Sequence, residues 1–268
     1  MFRLNLVILV IIATVACKSN TSKKEVNETK QSVDIEDLKS EVEEAVSPLP
    51  TPFELTEMLN NSGAKYLSDV LNPAENTDKY VTEIKKAVNL GVYGADLSYA
   101  TTYEVSEDTK QYLKAISTLM SDLGIDVDYA HLIKEEFREK LNNKDSLVAI
   151  VSSTIGNTYT YLSEQGKPSM AGVFAAGMWI EGMYIATHIS ESTFNNSNIV
   201  ALIYKQSATL KSIIEVLNAH SEDAYVQSIL PELNKINEVY DAASESLNEA
   251  QFNDIVNTIG SVRAKVVE

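Results

Sequence analysis

The sequence predicts an all-α fold: a multi-helix bundle around two buried central helices. Apolar residues recur at helical spacing from residue 53 to the end, with almost none of the alternation of a half-buried strand. Residues 169–190, SMAGVFAAGMWIEGMYIATHIS, are long enough for about six helical turns. They are apolar or small around nearly the whole circumference, as in a helix buried on every side. Residues 87–103, AVNLGVYGADLSYATTY, echo them. Each stretch carries one acid near its middle, Glu181 in the first and Asp96 in the second.

Bulk composition narrows the function classes. The 268 residues suffice for one sizeable core or two small ones, and a hydrophobic content of 44% is ordinary for a globular chain. The formal charge is −16. Such a chain lacks the clustered Lys and Arg of a nucleic-acid footprint, so no nucleic-acid partner is expected. Anionic lipid surfaces should repel it, so membrane attachment has to be covalent or hydrophobic. Cys17 is the single cysteine. An intrachain disulfide is therefore excluded, and the body has neither a thiol nucleophile nor a Cys-based zinc site.

Residues 1–16, MFRLNLVILVIIATVA, place one basic residue, Arg3, before an apolar run too short for a comfortable membrane span but of signal-peptide length. The run ends Thr14-Val15-Ala16-Cys17. This resembles the cleavage box of bacterial lipoprotein signal peptides, with Thr14 where that family usually has Leu. The alternative is an ordinary signal peptide with an incidental cysteine. The resemblance implies that Cys17 becomes a lipidated N-terminus carrying a diacylglycerol and an N-acyl chain such as palmitate. Lys18-Ser19-Asn20 lacks the acidic run that resembles a surface-export signal. The expected location is therefore the outer membrane, lipid-anchored, facing the periplasm, with the bilayer and an envelope protein as partners.

Residues 17–50 are polar, charged and poor in large apolar groups, the composition of a flexible tether. Ile35, Leu38, Val42 and Val46 have the spacing of a short amphipathic helix, which Pro48 and Pro50 stop. The helical domain is expected over residues 51–268. Thr51-Pro52-Phe53-Glu54 fits a capping box with proline at the first helical position. A short helix to about Asn61 follows, which Gly63 breaks or which absorbs it, and Tyr66, Leu67, Val70 and Leu71 continue the apolar pattern to Asn72-Pro73. The first central helix is expected from near Thr77 to about Val105, and Ser106 as the cap of the next, with Tyr112, Ile116, Leu119 and Leu123 inward and Gly124 as its stop. A helix over residues 128–141 carries Ile133, Phe137 and Leu141. Asp145 is expected to cap the following one, with Leu147, Val151, Ile155 and Leu162 inside, and Pro168 or Ser169 to open the second central helix.

Residues 195–198 form a turn cluster, after which Ile199, Ile203, Leu210, Ile214 and Leu217 share one face. Ser221, with Glu222 and Asp223, is expected to cap the next helix. Its stripe of Val226, Ile229, Leu233, Ile236, Tyr240, Ala243 and Leu247 is spaced for a near-antiparallel neighbour. Pro231 should kink or restart it. Phe252, Ile255, Ile259, Val262 and Val266 repeat the spacing from about Asn248, so the last two helices should pair as a hairpin.

Both central stretches have an acid, then Tyr three residues on, then Tyr or His at seven: Asp96, Tyr99, Tyr103 and Glu181, Tyr184, His188. Those offsets share a helix face. Gly91 with Ala95, and Gly172 with Ala176, form small strips that would let helix backbones approach. Two readings of the six polar residues stay open. In one, the acids are buried and hydrogen-bonded to Tyr hydroxyls, a structural role. In the other, the six line a pocket for a small ligand or cation. His188 and Glu191 make an isolated His-x-x-Glu, short of the two Glu-x-x-His pairs of a di-iron bundle. His131 and His220 lack partnered spacing, so no metal and no cofactor is expected. No phosphate loop, serine-hydrolase elbow or zinc-protease motif is present, so no catalytic residues are expected.

The acidic helical body and the run Asn89-Leu90-Gly91-Val92-Tyr93-Gly94-Ala95-Asp96 resemble uncharacterised helical lipoproteins of the Bacteroidota. That resemblance implies no activity. The function expected is a non-enzymatic envelope scaffold or interaction module, the alternative being a periplasmic small-ligand or cation carrier.

Overall fold

The computed structural model describes residues 52–125, 143–164, 168–189, 193–219 and 221–268, all helices and connections without a strand. The leader, Cys17, the tether, Thr51 and the helix expected over residues 128–141 lie outside them. Nine α-helices are found among the described residues: α1 (Pro52–Asn61), α2 (Glu83–Thr102), α3 (Ser106–Asp122), α4 (Lys144–Glu164), α5 (Pro168–His188), α6 (Ser197–Lys205), α7 (Ser207–Asn218), α8 (Ala224–Ala242) and α9 (Glu249–Val267).

The two expected central helices are α2 and α5. Every residue of α2 from Ala87 to Thr102 is buried, and so is every residue of α5 from Met170 to Met183. The two pack along most of their length. α5 also touches α1, α4, α7 and α9, while α2 also touches α1, α3 and α4. With neighbours on all sides, neither helix has a face left for polar residues. That is why their sequences lack an amphipathic stripe.

Glycines set how near α2 and α5 come. A methyl group on Gly91 would overlap the Phe174 carbonyl and sit 2.8 Å from the Met178 nitrogen. One on Gly177 would overlap the Val88 carbonyl oxygen and lie 2.9 Å from its carbon. The small-residue strip is therefore real on α2. On α5, however, its contact point is Gly177 rather than Gly172, whose missing side chain makes room for Val216 of α7.

Three helices end on the same backbone device, in which a left-handed residue lets two amides fold back onto the last free carbonyls. α1 uses Gly63 (φ 81°), with Ala64 N–H donating to Leu59 O, and α3 uses Gly124 (φ 68°), with Ile125 N–H donating to Met120 O. α2 ends with Val105 N–H on Ala100 O and Glu104 N–H on Thr101 O, but its left-handed residue is Glu104, at φ 59°. A side chain at that φ crowds its own carbonyl. Glu104 is exposed, so Glu104→Gly should raise stability by about 1 kcal/mol. A urea melt of the variant against wild type measures this, and an unchanged or lower midpoint would contradict it.

Several expected boundaries move. α2 starts at Glu83, not near Thr77, because Thr82 caps it by accepting the Lys85 amide at 3.2 Å and the chain before it runs as a short 3-10 turn, Ala74–Lys79. Ser106 is the first residue of α3 rather than its cap, since Val105 is already committed to ending α2. Asn143 takes the capping role expected of Asp145 by accepting from Ser146 N–H, and Asp223 takes that expected of Ser221 by accepting from the Tyr225 and Val226 amides. The helix expected to cover Ile199 to Leu217 is divided at Gln206, where the Ile203 carbonyl accepts from Gln206 N–H and from the Tyr240 hydroxyl at 2.7 Å. α8 runs through Pro231 without a restart. Asn248 closes a full capping box with Gln251, and all five inward residues of α9 are buried against α8 and α5.

Candidate functional site

Asp96 and Glu181 face each other across the α2–α5 crossing, both completely buried. Removing two carboxylates from water costs several kcal/mol per ion unless each finds a countercharge or a proton. Among the described residues one cation reaches them. Arg263 of α9 grips Glu181 with both arms of its fork, Nε to Oε2 at 3.0 Å and Nη2 to Oε1 at 2.9 Å. The same Nη2 donates to the Val70 carbonyl at 3.2 Å. The guanidinium also lies 4.4 Å from the centre of the Tyr184 ring, which stacks on His188 at 4.0 Å.

Two acids and one base leave a single negative charge, and the cheapest way to cancel it in a closed core is a proton. The geometry assigns that proton to Asp96. Its Oδ2 accepts from the Asn72 amide at 3.4 Å, while Oδ1 is buried with no donor beside it. Protonated, Asp96 becomes a donor to Glu181. Burial, then the Glu181 charge, push Asp96 well above the usual carboxylate range, against the pull of Arg263 and of the Asn72 N–H. Burial also raises Glu181, and there the Arg263 charge and fork oppose the shift. Burial holds His188 below the ordinary imidazole value. Arg263 adds to that effect, and the Tyr184 carbonyl, which accepts from its Nδ1 at 3.0 Å, works against it.

The expected tyrosine donors are used elsewhere, which corrects the hydrogen-bonding expected from sequence. Tyr99 and Tyr103 pack against Tyr66, at 4.8 and 5.6 Å between ring centres. The Tyr99 hydroxyl accepts from Leu67 N–H at 3.0 Å, and the Tyr103 hydroxyl donates to Ala64 O at 2.9 Å. Tyr93 donates to Pro73 O at 2.9 Å. Of the six candidate residues, then, Asp96 and Glu181 meet directly, Tyr184 and His188 join them through Arg263, and Tyr99 with Tyr103 face a different partner.

That partner is residues 64–80, an irregular strap with two short 3-10 turns, Ser68–Val70 and Ala74–Lys79. The apolar spacing of Tyr66, Leu67, Val70 and Leu71 suggested continued helix; instead Val70 and Leu71 are buried and the backbone is tied down by core side chains. Asn72 is the hub. It is fully buried, its amide reaches Asp96, its Nδ2 donates to the Tyr80 hydroxyl at 2.9 Å, and its Oδ1 accepts from Asn76.

Sequence reasoning missed Arg263 and Asn72. Arg263 is one of three arginines, with Arg3 and Arg138. It stands four residues after Ile259 and three before Val266, spacing that places it beside the α9 seam; that position was the available signal. Nothing local singled out Asn72. A cavity of about 250 Å³ between α1 and α6, lined in part by Met58, Ser62, Leu202 and Lys205, includes none of the candidate residues. Among the described residues no cluster of three His, Cys, Asp or Glu converges as a metal site would require, and no helix is long and apolar enough to cross a membrane.

Comparison with known proteins returns no match: no family model, no curated protein and no solved structure.

Proposed function

We propose that this chain is an envelope lipoprotein, anchored in the outer membrane through acylated Cys17 and facing the periplasm, whose helical domain acts without catalysis as a scaffold or protein-interaction module. The observation that carries the reading is where the conspicuous polar groups spend their bonds. Glu181 gives both oxygens to Arg263, and Tyr93, Tyr99 and Tyr103 hold strap backbone. Groups so engaged hold a fold together, and they leave recognition to the outer surface. An acidic protein gains little from electrostatic attraction to anionic lipid, whereas buried acyl chains contribute about 0.8 kcal/mol per methylene.

Cys17→Ser tests the anchor. The variant should stay unprocessed or become soluble, and should incorporate less labelled palmitate. Mature protein still fractionating with the outer membrane, with undiminished label, would sink the reading. The interaction module is tested by capture of partners with the lipidated protein, followed by mass spectrometry. A core variant that keeps its melting temperature yet loses a captured partner or solute would put the polar centre in the binding role instead.

A further inference from the structure

We infer that residues 64–80 form a proton-controlled latch, closed over the Asp96–Glu181–Arg263 centre while Asp96 carries a proton and released when that proton leaves. The strap has little regular structure of its own. It is held by isolated bonds from core side chains to its backbone: Tyr103 on Ala64 O, Tyr99 on Lys65 O and on Leu67 N–H, Arg263 on Val70 O, Asp96 on Asn72 N–H and Tyr93 on Pro73 O. Two of the six come from the buried charge centre itself.

Losing the proton leaves two carboxylates against one guanidinium, a net negative charge in a buried site that the Asn72 N–H, which favours the ionised carboxylate, offsets only in part. Either the helices part or water enters. The helices cannot part easily, because α2 and α5 already touch backbone to backbone at Gly91 and Gly177. The cover that can move is the strap. The groups facing Asp96 are Glu181 of α5, Arg263 of α9, Tyr80 of the strap, Tyr93 of α2 and Tyr112 of α3. Burial raises all three phenols above their ordinary value, so they stay neutral while Asp96 titrates. His188, beyond Arg263, is held toward its neutral form.

The sign follows from linkage. In the open state water reaches Asp96, and the carboxyl ionises at lower pH than under the strap. In the closed state it keeps its proton to higher pH. Opening therefore releases one proton, and the opening constant rises about tenfold per pH unit between the open and closed ionisation values before levelling off.

Hydrogen exchange of the full chain from pH 5 to 9, corrected for intrinsic amide rates, reads this directly. Strap amides should lose protection with a one-proton slope while those of α2 and α5 hold theirs. Asp96→Asn should hold strap protection flat across the range, and trypsin should cut it more slowly than wild type after Lys65 at pH 8. A flat wild-type profile overturns the inference. So does an equal slope in Asp96→Asn, or loss of protection in α2 and α5 together with the strap. If the variant does not fold, the wild-type comparison of strap with α2 decides alone.

Discussion

Arg263→Ala should destabilise the domain by about 3–5 kcal/mol, because it strands a fully buried carboxylate whose two oxygens both lose their donor. Arg263 itself is only 15% exposed, so solvent screens the pair little. Against a typical total of about 5–15 kcal/mol, such a loss leaves a marginal protein. Glu181→Ala should cost less, since the freed guanidinium keeps the Tyr184 ring and the Val70 carbonyl. The double variant should be clearly less destabilised than the sum of the two. Urea melts of the four proteins measure the coupling, and additive losses would mean that the fork is not the source of the stability.

Asp96 should behave oppositely. Its pKa is raised in the folded state, so its stabilising contribution is complete below the unfolded value of 3.8 and is lost progressively as pH rises toward the folded value. Asp96→Asn keeps a neutral donor there and removes that slope. The variant should therefore gain on wild type as pH rises from 4 to 8. A pH-independent difference between the two would contradict a neutral Asp96.

Gly177→Ala and Gly91→Ala should each lower stability by about 2–3 kcal/mol. Alanine in place of glycine contributes about 1 kcal/mol of helix propensity, which works against the loss. The new methyl, however, would meet the backbone of the opposing helix at Val88 or at Phe174 and Met178, and backbone cannot rotate aside. The helices would have to separate, opening gaps along their whole contact. Gly94 supplies the control, because a methyl there meets nothing nearer than 3.8 Å. Gly94→Ala should keep the propensity gain and be neutral or stabilising. Thermal melts showing all three variants alike would refute the close crossing.

Helix content, the two buried helices and the burial of both acids were legible because each rests on local spacing. Sixteen consecutive buried residues in α2 left their mark as a stretch without a polar face. The strap was not legible. Its apolar residues sit at helical spacing, and what prevents helix there is a set of bonds to Tyr93, Tyr99, Tyr103 and Arg263, distant in sequence. The tyrosines were assigned to the acids for the same reason: spacing along α2 puts them on a shared face but cannot show that an irregular segment reaches them first. Cap positions slipped where two candidates were adjacent, as at Asn143 and Asp145, since either side chain can serve and tertiary placement chooses.

The contacts of α9 bear on the order in which the domain assembles. Arg263 meets Glu181 from 82 residues downstream, and the Val266 carbonyl accepts from Asn89 Nδ2 across 177. Contacts so distant in sequence slow folding, since the chain must lose loop entropy before they form. Until α9 docks, the crossing of α2 and α5 would hold its acids without their cation. The favoured early structure is therefore one in which that crossing is still hydrated. A nascent chain therefore stays soft at its centre until its late segment arrives.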